Sequence, residues 1–260
     1  MTSPAQVLFV GAGPGDPELI TVKGLKALQA ADLVVYAGSL VNRALLAELK
    51  PGAAAHDSAP LTLEEVLALM AEAVAAGKRV VRLHTGDPSV YGAIQEQMEA
   101  LDALGIGYRV IPGVTATFAA AATLRQELTL PGVSQTVVLT RIEGRTPVPE
   151  KEQLRKIAAL GATVCLYLSV SMMDKVVAEL LAGGIYTPAT PVAVVSKASW
   201  PDERIVEGTL GDIADKVAAA GIGRQALILV GEVLAARSQG VPEKSKLYDK
   251  DFDHGFRIHS

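Results

Sequence analysis

Aromatic side chains are scarce in this chain: Phe, Trp and Tyr together make up 4% of its 260 residues. A core built on stacked rings is thereby excluded. Half of the composition is hydrophobic, and Ala, Val and Leu must fill the interior, as in layered α/β proteins. Cysteine is nearly absent. The single one, Cys165, lies in the apolar stretch TVCLYL, so no disulfide framework can form within the chain, which fits a reducing cytoplasm. The four histidines (His56, His84, His254 and His259) are dispersed, none at zinc-ligand spacing from another His or Cys, and no metal site of the protein's own is expected. A long basic run is also missing, and the net charge is −4, so nucleic acid is not an expected partner. No apolar run reaches the roughly 18 to 20 residues needed to span a bilayer. The opening MTSPAQ has no basic segment of the secretory kind and is expected to lead directly into a strand.

What is present is a regular alternation. QVLFVGAG, DLVVYAG, KRVVRLHTGDP and YRVIPGV read as buried strands. TVKGLKALQAA, TLEEVLALMAEAVAAG and VYGAIQEQMEALDALG read as helices between them. The second is the clearest, with Thr62 as its cap, Glu65 three residues later and Gly77 at its end. Continuous apolar strands alternating with helices predict a parallel sheet covered on both faces. Five further strands are expected in SQTVVLTR, TVCLYLS, PVAVVSKAS, ERIVEGTL and QALILVGEV, with helices in EKEQLRKIAALG, MDKVVAELLAGG and LGDIADKVAAAG. The segment AVVSKASWPDERIVEG reads as a hairpin, so the second sheet is expected to be mixed. The expected organisation is an α/β domain over 1–115, a second α/β domain over 116–236, and a polar tail over 237–260, extended or swapped onto a neighbouring molecule.

In open parallel sheets, ligands gather beyond the carboxyl ends of the strands. Three glycine-bearing turns fall at such ends: GAGPGD, HTGDPSVYG and IPGVTA. The first resembles a dinucleotide loop and fails as one. Gly11 and Gly13 fit the G-x-G-x-x-G pattern, but Asp16 stands at the third glycine position. Pro14 and Pro17 each lack an N–H donor, and Asp16 and Glu18 carry the sign of a phosphate. The Gly-Lys-Ser/Thr ending of a Walker loop is missing too. A rigid turn with an acidic residue remains, and Asp16 is open to two readings: a cap on the next helix or a carboxylate at a ligand site. Asp87 is open to the same two, its Pro88 being expected to start a helix.

GAGPGDPELIT, HTGDPSVYG and IPGVTA, in that order, resemble the signatures of the tetrapyrrole methylases, the S-adenosylmethionine-dependent uroporphyrinogen and precorrin methyltransferases. The resemblance covers about Val7 to Val233. VVYAGSLVNRALL, ELTLPGVSQTVVLTRIEGRTPVPE, KASWPDERIVEGTLGDI and the tail SKLYDKDFDHGFR are similar to the precorrin-4 C11 branch of that family.

The resemblance implies a two-domain α/β fold with the methyl donor held in the cleft between the domains by backbone and small residues. Carried onto this sequence, the donor residues are Pro14, Thr85, Gly86, Asp87, Val90, Thr115, Ala116, Leu168 and Ala198, with Ala226 beside the adenine. Relatives often carry Gly-Gly-Asp where this chain has Thr85-Gly86-Asp87, and some carry Met in place of Leu168. Backbone and apolar contact suffice at both places. The implied co-substrate is S-adenosylmethionine, leaving as S-adenosylhomocysteine. The implied partner is a tetrapyrrole, either precorrin-4 or cobalt-precorrin-4, whose metal belongs to the substrate. A homodimer is implied as well.

The chemistry agrees with a chain lacking a reactive Cys or a Ser-His-Asp set. Methyl transfer from a sulfonium to an enamine-type carbon needs alignment and a dry cleft more than a protein nucleophile. Asp16 is the candidate catalytic helper. A substrate bearing many carboxylates calls for arginines. Candidates are Arg82, His84, Arg125, Arg141, Arg145, Lys197 and Arg204, with Arg141 and Arg145 favoured by their place in TRIEGRTPVPE. Each also reads as a solvated or ion-paired residue. Tyr36 and Trp200 are candidates for stacking on the macrocycle or for packing.

Overall fold

Strands β1 (Val7–Gly11), β2 (Leu33–Tyr36), β3 (Ala54–Asp57), β4 (Val80–His84) and β5 (Tyr108–Ile111) form one five-stranded parallel sheet in the order β3-β2-β4-β1-β5. These assignments come from a computed structural model that describes residues 6–240, 243–246, 252 and 255. All four residues of β2 and all five of β4 are buried, because helices cover both faces. On one face α2 (Leu63–Ala75) and α3 (Ile94–Ala103) contribute Val66, Met70 and Leu101, which pack on Val7, Phe9, Val35 and Val80. On the other, Leu28 of α1 (Val22–Ala30) and Leu45 pack on Val10, Val34, Val81 and Leu83. Each fully buried aliphatic or phenyl side chain contributes roughly 1.5–3 kcal/mol. The expected capping box on α2 is present: Glu65 N–H donates to Thr62 Oγ1, and Thr62 N–H donates to Glu65.

The strand order positions the glycine turns. From β1 the chain leaves through α1, on one face, towards β2. From β4 it leaves through α3, on the opposite face, to β5. Neighbouring strands whose connections diverge in this way open a crevice at their carboxyl ends. β1 sits between β4 and β5, so the three turns after these strands lie side by side.

The second sheet is mixed. β6 (Val137–Arg141) runs parallel to β7 (Thr163–Tyr167), and β10 (Ala226–Val230) is antiparallel to both β7 and β8 (Pro191–Ser196). β8 pairs in turn with β9 (Arg204–Thr209) as the expected hairpin. The order is β6-β7-β10-β8-β9. One face is covered by Leu154 and Ala158 of α5 (Leu154–Ala158), Val176 and Leu180 of α6 (Met173–Ala182), and Ile213 and Val217 of α7 (Ile213–Ala219).

The described residues divide into two compact units. The first runs up to Ala119 and includes Ser199–Asp202; the second holds Ala120–Ala198 and the residues from Glu203 onward. The division falls inside α4 (Ala116–Leu124). Strand β3 was not expected: AAHD is weakly strand-forming, and its first three residues are exposed at the sheet edge. Pro88 does not start a helix. It enters an isolated turn, and α3 begins only at Ile94. Of the expected tail, 237–239 end a short helix, and 241, 242, 247–251, 253, 254 and 256–260 lie outside the described residues. Among the described residues no helix is long and apolar enough to cross a membrane.

Candidate functional site

In the first unit the turns after β1, β4 and β5 meet backbone to backbone. Gly13 and Gly86 form an antiparallel bridge, with N–H to carbonyl distances of 3.3 Å and 2.8 Å. Gly13 (φ +80°) and Gly86 (φ +61°) both occupy the left-handed region that glycine adopts without strain. A Cβ on Gly113 would lie 2.1 Å from the Gly86 carbonyl oxygen, and one on Gly11 would lie 2.6 Å from Gly113 Cα. The approach is therefore possible only without side chains. Asp87 ties the arrangement together. One carboxylate oxygen accepts from Gly113 N–H at 2.9 Å and the other from Ser89 N–H at 2.8 Å. Val90 N–H closes the turn onto the Asp87 carbonyl at 3.2 Å.

The turn GAGPGD is held from outside as well. The Trp200 indole N–H donates to the Pro14 carbonyl at 2.9 Å, and its ring lies where a Gly15 side chain would be. The Asn42 amide donates to the Gly15 carbonyl at 2.8 Å. Asp16 N–H donates to Ser199 Oγ at 2.9 Å, while its carboxylate accepts from Glu18 N–H at 2.9 Å and caps the single turn Pro17–Leu19. Ala12 N–H donates to the His84 carbonyl at 2.7 Å. The N–H groups of Ala12, Gly13 and Asp16 are thus engaged within the protein, which removes the donors a pyrophosphate would need.

Thr85 stands at the end of β4 with its hydroxyl buried and unpaired. A buried hydroxyl without a partner is destabilising by about 1–3 kcal/mol, and a ligand group arriving there would relieve it. Thr115 is buried, and its carbonyl accepts from Phe118 N–H at 3.1 Å in the first turn of α4, where Ala116 is half-buried. The donor residues named from the first unit therefore cluster on the three turns.

Tyr36, Arg82 and His84 lie inside the unit. Tyr36 packs in the cluster with Val41 and Leu83, which makes it a core residue. Arg82 is 7% exposed, and its Nε and Nη1 donate to Gln97 Oε1 and the Val35 carbonyl, both at 3.1 Å. His84 is 4% exposed, its ring 6.0 Å from Phe9 and its Nε2 unpaired. Burial, with the neighbouring Arg82 charge second, pushes the imidazole down to about 3, so it is neutral. Burial also lowers Arg82, to about 10, which leaves it charged at neutral pH.

In the second unit Arg141, Leu168, Lys197, Ala198, Arg204 and Ala226 lie at or just beyond one end of the mixed sheet. The pairing places Arg141 beside Tyr167, and Ser196 beside both Ala226 and Arg204. Leu168, Lys197 and Gln225 continue from β7, β8 and β10 at this end, and all three have positive φ (54°, 52° and 52°). Left-handed non-glycine residues cost about 1–3 kcal/mol each and collect at functional sites. Lys197 N–H donates to the Gln225 carbonyl at 2.8 Å, Ala198 is buried, and Leu168 is 68% exposed. Arg141 donates to the carbonyls of Thr146 at 3.1 Å and Pro147 at 2.7 Å, folding the loop that carries the exposed Arg145. Arg204 donates to the Ala220 carbonyl at 2.8 Å, and Arg125 is exposed with φ 52°.

Sequence reasoning missed Asn42, Ser199 and Gly113 as the groups that fix the turns. Asn42 and Ser199 act across 27 and 183 residues of chain, and no local pattern marks such contacts.

Glycine turns that meet beyond the strands of a parallel sheet, with their N–H groups already engaged, mark a ligand-binding α/β protein without a phosphate loop. The chain belongs to the tetrapyrrole (corrin/porphyrin) methylases, whose family model matches residues 6–214. It is 57% identical over 257 residues to the cobalt-precorrin-4 C(11)-methyltransferase of Methanocaldococcus jannaschii, covering 99% of this chain and 98% of that one. It is 52% identical over 231 residues to the precorrin-4 C(11)-methyltransferase of Mycobacterium tuberculosis, covering 88% and 92%. Among solved structures, a cobalt precorrin-4 methyltransferase superposes with TM-score 0.86 at 51% identity, covering 88% of this chain and 95% of that one. A uroporphyrin-III C-methyltransferase from Thermus thermophilus, complexed with S-adenosylhomocysteine, superposes with TM-score 0.73 at 30% identity, covering 88% and 93%.

Proposed function

We propose that this protein is an S-adenosylmethionine-dependent C-methyltransferase that methylates C11 of precorrin-4, giving precorrin-5 in cobalamin biosynthesis. The observation that carries the reading is the 57% identity to a C(11)-methyltransferase over nearly the whole of both chains. The relatives carry both substrate names, metal-free and cobalt-containing, and the reaction at C11 is the same for either. Cobalt, where present, belongs to the substrate.

The donor supplies an electrophilic methyl group on a sulfonium. The chain's part is to bind, orient and exclude water. Pro14, Thr85, Gly86, Asp87, Val90, Thr115 and Ala116 of the first unit, with Leu168, Ala198 and Ala226 of the second, are the proposed donor residues. The unpaired Thr85 hydroxyl and the side-chain-free glycine turns suit a ligand that reaches backbone closely. Asp16 is the proposed catalytic carboxylate, held in place by its own cap on Glu18 N–H. Arg141, Arg145 and Lys197 are proposed to meet substrate carboxylates. The single cysteine fits a cytoplasmic enzyme, and we take it to work as a homodimer.

Calorimetry tests the donor assignment. S-adenosylhomocysteine is expected to bind and NAD and ATP are not; tight NAD or ATP binding without S-adenosylhomocysteine binding would replace this reading with a nucleotide-binding protein.

A further inference from the structure

Among the described residues, the core of the parallel-sheet unit contains one guanidinium. Arg82 projects from the centre of β4 onto the face covered by α2 and α3, the face of Val80 and Phe9. Its described partners are neutral. Nε donates to the side-chain oxygen of Gln97, and Nη1 donates to the carbonyl of Val35 on the neighbouring strand, each at 3.1 Å. Gln97 is itself buried, 5% exposed, and its amide donates at 3.0 Å to the carbonyl of Ala93. A chain of hydrogen bonds therefore runs from the middle strand of the sheet, through α3, to the residue that precedes that helix.

Ala93 is an unusual place for such a chain to end. It precedes α3 with φ +48° and makes no side-chain cap. Tyr91, two residues earlier, has φ +55°, and between them a Cβ on Gly92 would lie 2.1 Å from the Pro88 carbonyl oxygen. The segment from Asp87 to Ala93 thus folds back on itself through two left-handed non-glycine residues. Such conformations persist only where the surroundings impose them. The Gln97 amide is one such constraint, and Arg82 orients it: with the Gln97 oxygen facing the guanidinium, the amide nitrogen faces Ala93. The planar fork suits this task, since it reaches a strand carbonyl and a helix side chain together, which a single ammonium does less well.

We propose that Arg82 is a positioning residue of the donor site, acting through Gln97 and Ala93 to fix the turn that presents Thr85, Gly86, Asp87 and Val90. It is not a contact for the carboxylates of the macrocycle. The inference rests on the donor reading given under Proposed function.

Two conservative variants isolate the chain. Gln97→Glu keeps an acceptor for Arg82 and loses the donor to Ala93. Arg82→Lys keeps the charge and loses the fork. Binding of S-adenosylhomocysteine by calorimetry, kcat and KM for the tetrapyrrole, and melting temperature are measured on the full chain. Both variants are expected to weaken S-adenosylhomocysteine binding about tenfold, the order associated with one buried hydrogen bond, with the tetrapyrrole KM held within about twofold. Unchanged S-adenosylhomocysteine affinity in Gln97→Glu overturns the inference. So does a raised tetrapyrrole KM with unchanged donor affinity in Arg82→Lys, which would return Arg82 to the substrate. If Arg82→Lys fails to fold, Gln97→Glu alone decides. Absence of S-adenosylhomocysteine binding by the unaltered protein overturns the donor reading and this inference with it, whereas normal binding with unshifted variants overturns the inference alone.

Discussion

Gly13 and Gly86 exchange two backbone hydrogen bonds, one at 2.8 Å and the other at 3.3 Å, although 73 residues of chain separate them. The bridge joins the turn after β1 to the turn after β4, and Asp87 extends it to the turn after β5 through Gly113 N–H. A sheet whose neighbouring strands end together can bring three turns remote in sequence onto one surface, provided their backbones meet without side chains.

Gly113→Ala tests that requirement. The added methyl carbon would lie 2.1 Å from the Gly86 carbonyl oxygen, a backbone atom with little freedom to retreat. We expect a loss of about 2–3 kcal/mol, the upper part of the overpacking range, read from urea denaturation, together with weakened S-adenosylhomocysteine binding. Gly77→Ala is the comparison: its φ of +74° is strained for alanine, yet nothing crowds the position, so its donor binding stays unchanged.

Asp16 has a structural task and a proposed catalytic one, and two substitutions separate them. Asp16→Asn retains an oxygen to accept from Glu18 N–H and removes the charge. Asp16→Ala removes both, at a cost near 1 kcal/mol for the lost cap. Both are expected to lose methyl transfer, while only the alanine variant melts lower. Full activity in Asp16→Asn would leave the residue as a cap and no more.

The acid stability of the protein is expected to carry the signature of His84. Its imidazole titrates at about 3 in the folded protein, against 6.5 unperturbed, because burial and then Arg82 disfavour the charged form. The unfolded chain therefore binds the proton first, and stability falls as pH drops from about 6.5 towards 3. Asp32, Glu64, Glu179 and Asp212 have lowered values, so their contributions are lost mainly below about pH 4.5, and comparison with a His84 variant between about 6.5 and 4.5 reads the histidine. At about 1.36 kcal/mol per unit, His84→Phe is expected to remove up to about 2.7 kcal/mol of pH dependence across that interval. Unfolding free energies from denaturation curves at the two pH values check it; an equal change with pH in both proteins would contradict the assignment.

Strands buried on both faces were legible because VLFVG, LVVY and VVRLH admit few polar residues, and the hairpin of β8 and β9 because its turn signals interrupt two apolar runs. β3 was not, since AAHD carries almost no strand propensity and pairs with β2 alone, at the sheet edge. The glycine turns could be found from their residues alone. The burial of Arg82, His84 and Tyr36 could not, because a strand period of two does not say which face meets helices and which residues end in the core. Likewise, the partners that fix the GAGPGD turn, Trp200 and Ser199, are supplied by chain some 180 residues away.

Methyl transfer itself is the most direct test. The protein is incubated with S-adenosylmethionine carrying a carbon-13 methyl group and with precorrin-4 or cobalt-precorrin-4, and the recovered macrocycle is read by carbon-13 NMR. One enriched methyl group, attached to C11, is expected. An unlabelled macrocycle, or label on a different ring carbon, would contradict it.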